Sequence, residues 1–203
     1  MRDGFKRWLG VIVLVVLLLA GLRVITPYIN LNPVRTPGEV LDEFNGIPVY
    51  YNGGLKSSSG LSVAPDGYTL GLRYQCAEFV KRYYHQRLRH TMPDARGHGK
   101  NFFSPALMDG EMNPQRRLIQ YSNPSVAAPQ VEDIVVFGSW WLNRSGHVAI
   151  VTRVDSESVE IIQQNPGPFG SAREVLPLRQ ERGVWRIGHR RVLGWLHRPG
   201  PER

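Results

Sequence analysis

The stretch Gly71–Leu88, GLRYQCAEFVKRYYHQRL, holds the chain's single cysteine. From Cys76 the apolar side chains fall at Phe79, Val80, Tyr83, Tyr84 and Leu88, the recurrence of a helix with one buried stripe. That spacing puts Cys76 in the first turn, with Gly71 and its neighbours supplying the turn before it. Unpaired backbone N–H groups and the positive end of the helix dipole favour the thiolate there, and the thiolate is the nucleophilic form. Arg73 would add to this effect. Glu78 would oppose it if it faced the sulfur, and would not if it bonded back to the first turn. A lone cysteine is more often a small buried hydrophobe than a catalyst, so the case for chemistry depends on what lies downstream.

Working toward the N-terminus, Arg2, Lys6 and Arg7 precede an uncharged run from Trp8 to Leu22. Alone, this run has the length of a signal-peptide core. Continued through Val24, Ile25 and Tyr28 to Ile29 it is long enough to span, with Arg23 snorkelling at the far interface. Leu18 and Ala20 make a poor cleavage site, so an uncleaved anchor over residues 1–29 is favoured over a removed signal peptide, with the basic end inside the cell. Residues 30–44, with Pro33 and Pro37, read as a linker containing a helical turn at Glu39–Phe44. Residues 45–198 read as one domain and 199–203 as a tail.

The net charge is +8. Arg2, Lys6, Arg7, Arg23 and Arg35, less Asp3, supply half of it, so the domain is only mildly basic. No basic stripe interleaved with aromatics appears, which argues against nucleic acid as a partner. One cysteine cannot form an intrachain disulfide, and a single thiol in an exported protein points to reactivity.

Beyond the cysteine helix, Lys56–Asp66 before it and His90–Pro129 after it read as loop. The second is long enough to wall a cleft and includes a short helix near Ser104–Met108. From Val131 the pattern becomes that of strands, at 131–137, 148–154, 159–164, 184–187 and 192–197. A cysteine-bearing helix followed by a largely antiparallel sheet predicts an α+β domain with the helix on one sheet face.

Nucleophilic cysteine chemistry needs a base within reach of the sulfur and a group that orients the base. Among six histidines, His147 opens the strand HVAIVTRV and would be held at a sheet end. His85, His90 and His98 fit no zinc spacing with Cys76, and no metal or cofactor is expected. His189 and His197 read as solvated. Gln163, Gln164 and Asn165 on the next strand all offer an amide oxygen to the imidazole. If paired residue numbers sum to an even value, His147 shares a face with Gln163 and Asn165; if odd, with Gln164. A bulge would exchange the two answers.

The blocks YQCAEFVKRYY, PQVEDIVVFG, SGHVAIVTRV, VEIIQQN and VLGWLH together resemble the CHAP domains, of the NlpC/P60 group of papain-like cysteine hydrolases. In particular they resemble the amidase domain of glutathionylspermidine synthetase/amidase. The resemblance implies a papain-like fold, Cys76 as nucleophile, His147 as base, and Gln163 where the family commonly has Glu. A neutral amide can still fix the imidazole tautomer, but it stabilises imidazolium less than a carboxylate does. The Cys76 backbone N–H, with Gln75 as a second donor, would form the oxyanion hole, and Trp140 and Trp141 would floor the cleft. The expected function is an extracytoplasmic cysteine amidase or endopeptidase acting on peptidoglycan or another amide. A glutathionylspermidine-type amidase and a catalytically silent binding module are the alternatives.

Overall fold

The computed structural model describes residues 2–94, 97–141 and 143–200; of the expected tail, residues 201–203 lie outside the described residues. Helix α1, Arg2–Ile25, is continued by a 3-10 turn at Thr26–Tyr28 that contains Pro27. The apolar segment Trp8–Tyr28 has 21 residues and none of its hydrophobic window is buried. That is about 30 Å of helix, the thickness of a bilayer's hydrocarbon core.

The segment after it departs from the expected linker. Val40–Phe44 is strand β1, not a helical turn, and pairs antiparallel with β2, Ile47–Tyr50. Asn45 and Gly46 join them with φ of 51° and 78°. Asn-Gly is the pair a tight hairpin turn requires, because both positions need positive φ. The preceding residues are tied down as well: the Tyr51 hydroxyl donates to Asn30 Oδ1 (2.7 Å) and Asn32 Nδ2 to Pro168 O (3.1 Å). A second small hairpin, β3 (Leu61–Val63) with β4 (Thr69–Leu72), occupies part of the expected loop and leads into α2, Cys76–Leu88.

The remaining strands are β5 (Glu111–Asn113), β6 (Leu118–Ser122), β7 (Ile134–Phe137), β8 (His147–Val154), β9 (Ser158–Ile162), β10 (Arg173–Glu181), β11 (Val184–Ile187) and β12 (Val192–His197). They form one sheet in the order β11-β10-β9-β8-β7-β12-β6-β5, every neighbouring pair antiparallel. The α+β expectation therefore holds. Two of its details do not: the presumed long loop contributes the β5–β6 hairpin to the sheet, and Ser104–Met108 is a turn instead of a helix. Strand β10 was hidden by Pro177 and by charged residues. Leu176 and Leu178 are its buried positions, the alternation of a strand with one wet face.

Alternation along the central strands separates two cores. Ile134, Val136, Val148, Ile150 and Ile162 face α2, where Phe79, Val80, Tyr83 and Tyr84 are fully buried. Val135, Phe137, Ala149, Val151 and Ile161 face the other way, onto Leu176, Leu178, Ile187 and Trp195. The sheet curls around this second core. Ser125 bridges Trp185, and the Asn123 side chain both accepts from Ile187 N (3.0 Å) and donates to Ile187 O (3.0 Å), which joins β11 to the chain leaving β6.

Candidate active site

Before α2, Tyr74 takes φ of 65° and Gln75 is extended, so the chain turns into the helix with Cys76 as its first residue. The cysteine is buried. The backbone groups of Val148, Ala77 and Cys76 itself favour the thiolate. Burial is the larger influence, and it holds the thiol above its ordinary pKa. The helix N-terminus therefore does not make a resting thiolate, as the sequence suggested it would. Glu78 is not the cause: it is buried, binds Arg82 Nε at 2.8 Å and accepts from Gln164 Nε2 at 2.8 Å. Arg73 is exposed.

His147 begins β8, one residue before Val148, whose backbone acts on the Cys76 thiol. Its Nε2 lies 2.9 Å from Gln163 Oε1. The register excludes Gln164, and the commitment of Asn165 to Gln75 and Leu55 leaves Gln163. Ile150 opposes Ile162 and Val151 opposes Ile161, even sums, so at this end of the strands His147 shares a face with Gln163. A bulge between Val151 and Arg153 shifts the pairing to odd sums at the far end, Arg153 opposite Glu160 and Val154 opposite Val159.

The Gln163 amide can face only one way. Its Nε2 donates to Ser171 O and Glu174 Oε2, both at 3.2 Å, which leaves Oε1 for the imidazole. An amide oxygen can only accept, so His147 carries its proton on Nε2 and has the lone pair on Nδ1. The imidazole pKa is lowered from 6.5 to about 4, chiefly by burial; the Gln163 bond opposes this and the Arg191 charge adds to it. At neutral pH the pair is thiol and neutral imidazole. Any attack by this sulfur would have to move a proton during the step, instead of starting from separated charges.

The other expected site residues have different work. Gln75 Nε2 donates to Ser57 O (2.7 Å) and Leu55 O (3.4 Å), so its donors are committed to a loop and not to an oxyanion. Asn165 Nδ2 donates to Gln75 Oε1 (2.9 Å) and Leu55 O (2.8 Å), a brace on that same loop. Trp141 is 66% exposed, edge-on to Trp140 and 5.9 Å from the Arg23 guanidinium, so it floors no cleft. Trp140 lies under Arg191 at 5.1 Å. Among the remaining histidines, His85 pairs with Asp66 (2.8 Å) and His90 with Arg116 O (2.8 Å). His189 and His197 are not simply solvated: the first packs edge-on against Phe137 and the second pairs with Asp133 at 2.7 Å.

The family described as CHAP domain matches residues 65–165, a span that contains Cys76, His147 and Gln163. This segment is a CHAP domain. The chain is 30% identical over 182 residues to trypanothione synthetase of Crithidia fasciculata, covering 84% of this chain and 28% of that protein. It is 32% identical over 142 residues to glutathionylspermidine synthase of the same organism, covering 63% of this chain and 19% of the relative. The chain thus spans less than a third of either relative's length. Among solved structures it is similar to Ly7917, with TM-score 0.35 and 18% identity over 69% of this chain and 56% of that one. The same protein with the hydrolyzing product of MDP gives TM-score 0.37 and 21% identity, over 70% and 58%.

Several residues beside the site carry no such signal in the sequence. A Cβ on Gly99 would sit 2.8–2.9 Å from three His147 backbone atoms, and one on Gly146 would meet Phe137 O at 2.5 Å. Both glycines let the 3-10 turn Gly99–Phe102 close against the base of β8. Glu174, behind Gln163, and Arg191, near the imidazole, come from β10 and from the turn before β12. The only sequence signal was the glycine pair flanking His98.

Proposed function

We propose that the protein is a membrane-anchored, extracytoplasmic cysteine amidohydrolase that cleaves amide bonds in peptidoglycan peptides through Cys76, His147 and Gln163. One observation carries this: the Gln163 amide, fixed by two acceptors behind it, puts the His147 proton on Nε2 and the lone pair on Nδ1, on the residue before Val148, whose backbone acts on the buried Cys76 thiol. His147 Nδ1 takes the thiol proton as Cys76 Sγ attacks the amide carbon, then gives it to the leaving amine. Water, deprotonated by the same nitrogen, hydrolyses the thioester and regenerates the thiol. The Cys76 backbone N–H at the start of α2 faces the developing oxyanion, a contribution of about 3 kcal/mol for one donor. Gln163 keeps the imidazole in the useful tautomer, as an amide can do without carrying charge.

The peptidoglycan assignment is supported by the apolar segment Trp8–Tyr28, which follows Arg2, Lys6 and Arg7 in sequence, an arrangement that keeps the basic end in the cytoplasm and carries the domain across the membrane. The names of the two relatives favour a second reading, an amidase acting on a glutathione–polyamine conjugate. Full-length protein incubated with purified peptidoglycan, and separately with that conjugate, distinguishes them. New amines released from the wall polymer by the wild type and not by Cys76→Ala support the proposal. Equal release by both proteins overturns it, and turnover of the conjugate alone transfers the assignment to the second reading.

A further inference from the structure

The end of α1 is fastened to the same edge of the domain that carries the candidate site. Pro27 O accepts from Lys56 N (2.8 Å), and Tyr28 O accepts from the Ser57 hydroxyl (3.0 Å). The carbonyls of Leu55 and Ser57 are in turn held by Gln75, which adjoins Cys76, and Leu55 O also by Asn165, two residues past Gln163. One short segment, 54–57, therefore links the membrane exit to both arms of the site. Gly54 leaves room for this contact, since a Cβ there would lie 2.8 Å from Pro27 O.

Two further loops at this end of the strands reach the same place. The loop between β7 and β8 brings Trp141 to Arg23, and the loop between β9 and β10 brings Pro168 O to Asn32 Nδ2 (3.1 Å). Aromatic side chains on these loops and on the turn after α1 are exposed: Trp141 66%, Phe169 74% and Tyr28 60%. Lys56 and Arg23 are exposed among them, with the Lys56 ammonium 5.8 Å from the Tyr28 ring. Aromatic residues mixed with cations beside the end of an apolar helix have the composition of a membrane–water interface.

We propose that this edge of the domain is seated in the lipid headgroup layer, so that the site faces the bilayer and its substrate is an amide on a molecule anchored in the same leaflet. This rests on the anchored amidohydrolase reading above and specifies its substrate class. The hairpin between β10 and β11 marks the opposite end. Strand β10 leaves the site edge at Arg173 and runs nine residues to Glu181, about 26 Å away at the usual strand rise.

The test uses the full chain in phosphatidylethanolamine–phosphatidylglycerol vesicles. In a Cys76→Ser background, Phe169→Cys and Arg182→Cys each carry an environment-sensitive fluorophore, and nitroxide-bearing lipids serve as quenchers. Quenching at position 169 should exceed that at 182 by about fivefold. Equal quenching, with the chain still sedimenting with vesicles, overturns the seating and leaves the hydrolase reading untouched. Failure to sediment with vesicles overturns the anchor, and the seating with it. Wild-type protein in the same vesicles then receives one muramyl peptide in two forms, free in solution and attached to phosphatidylethanolamine. Hydrolysis of the attached form should be at least about tenfold faster, because anchoring raises its effective concentration at the site. Equal rates overturn the substrate class. Cleavage of neither overturns the hydrolase reading and the substrate class together, while quenching at position 169 still decides the seating.

Discussion

The Cys76 arm of the site is made within the stretch Gly71–Leu88, whereas the His147–Gln163 arm depends on how two strands are aligned. In the first, helical periodicity, the turn at Tyr74 and the burial of Phe79 and Tyr83 all follow from neighbours in sequence. In the second, Gln163 shares the imidazole's face, and Gln164 does not, because Ile150 opposes Ile162, a fact about pairing that neither strand contains alone. The two arms nevertheless reach the same electrostatic condition. Burial outweighs the backbone donors at Cys76 and the amide at His147, so each group rests neutral. The proposed mechanism joins this locally encoded thiol and that non-locally encoded imidazole in one unit.

Breaking that unit from either side should have the largest effect. Cys76→Ala and His147→Ala should each lower kcat by about 10⁴-fold or more, with the double variant little worse, as expected of residues that share a step. Single-turnover kinetics on the folded variants measure this, and additive losses would separate the arms.

The next effect distinguishes the arms by pH. Unfolded, His147 binds a proton below about 6.5; folded, it does so only below about 4. Between those values the unfolded state binds more protons, so stability falls as pH drops from 6.5 to 4. At about 1.4 kcal/mol per unit, the loss is about 3 kcal/mol. Denaturant unfolding across this range should show it, and His147→Gln should flatten the slope, whereas Cys76→Ala should not.

Smaller effects sharpen the role of the amide. Gln163→Ala should lower kcat by roughly 10–100-fold with KM little changed, because it removes orientation and not substrate contact. Gln163→Glu should raise the acid limb of the pH–rate profile above about 4, since a carboxylate favours imidazolium. Glu174 Oε2 lies 3.2 Å from the Gln163 nitrogen, so like charges should limit that gain until Glu174→Gln is added. Glu174→Gln alone should change kcat by a few-fold or less.

The same contrast explains what could be read in advance. Helix α2 and strands β7, β8, β9, β11 and β12 were legible because each carries its own apolar periodicity. Strand β10 lacks that periodicity in its charged stretch and has Pro177 in its middle, yet pairs on both sides. The Asn45-Gly46 hairpin is masked in the sequence because Glu39–Phe44 alone has helical spacing, and the turn residues that overrule it come after it. Gln75 reads as an oxyanion donor from its place beside Cys76, and nothing in the sequence reveals that Ser57 and Leu55 occupy its amide. The glycine at 99 matters only because the fold brings it against His147.

The irregularity in β8 has a bearing on how such a domain can vary. Thr152 lies between the two alignments, its hydroxyl bound to the Glu160 carboxylate at 2.7 Å. The extra residue acts as a clutch between the two halves of the strand. The outer hairpin at Asp155–Ser158 can be lengthened, shortened or recharged by mutation without rotating the imidazole away from its amide. Descendants of this sequence could therefore remodel the far rim freely while the chemistry stayed aligned.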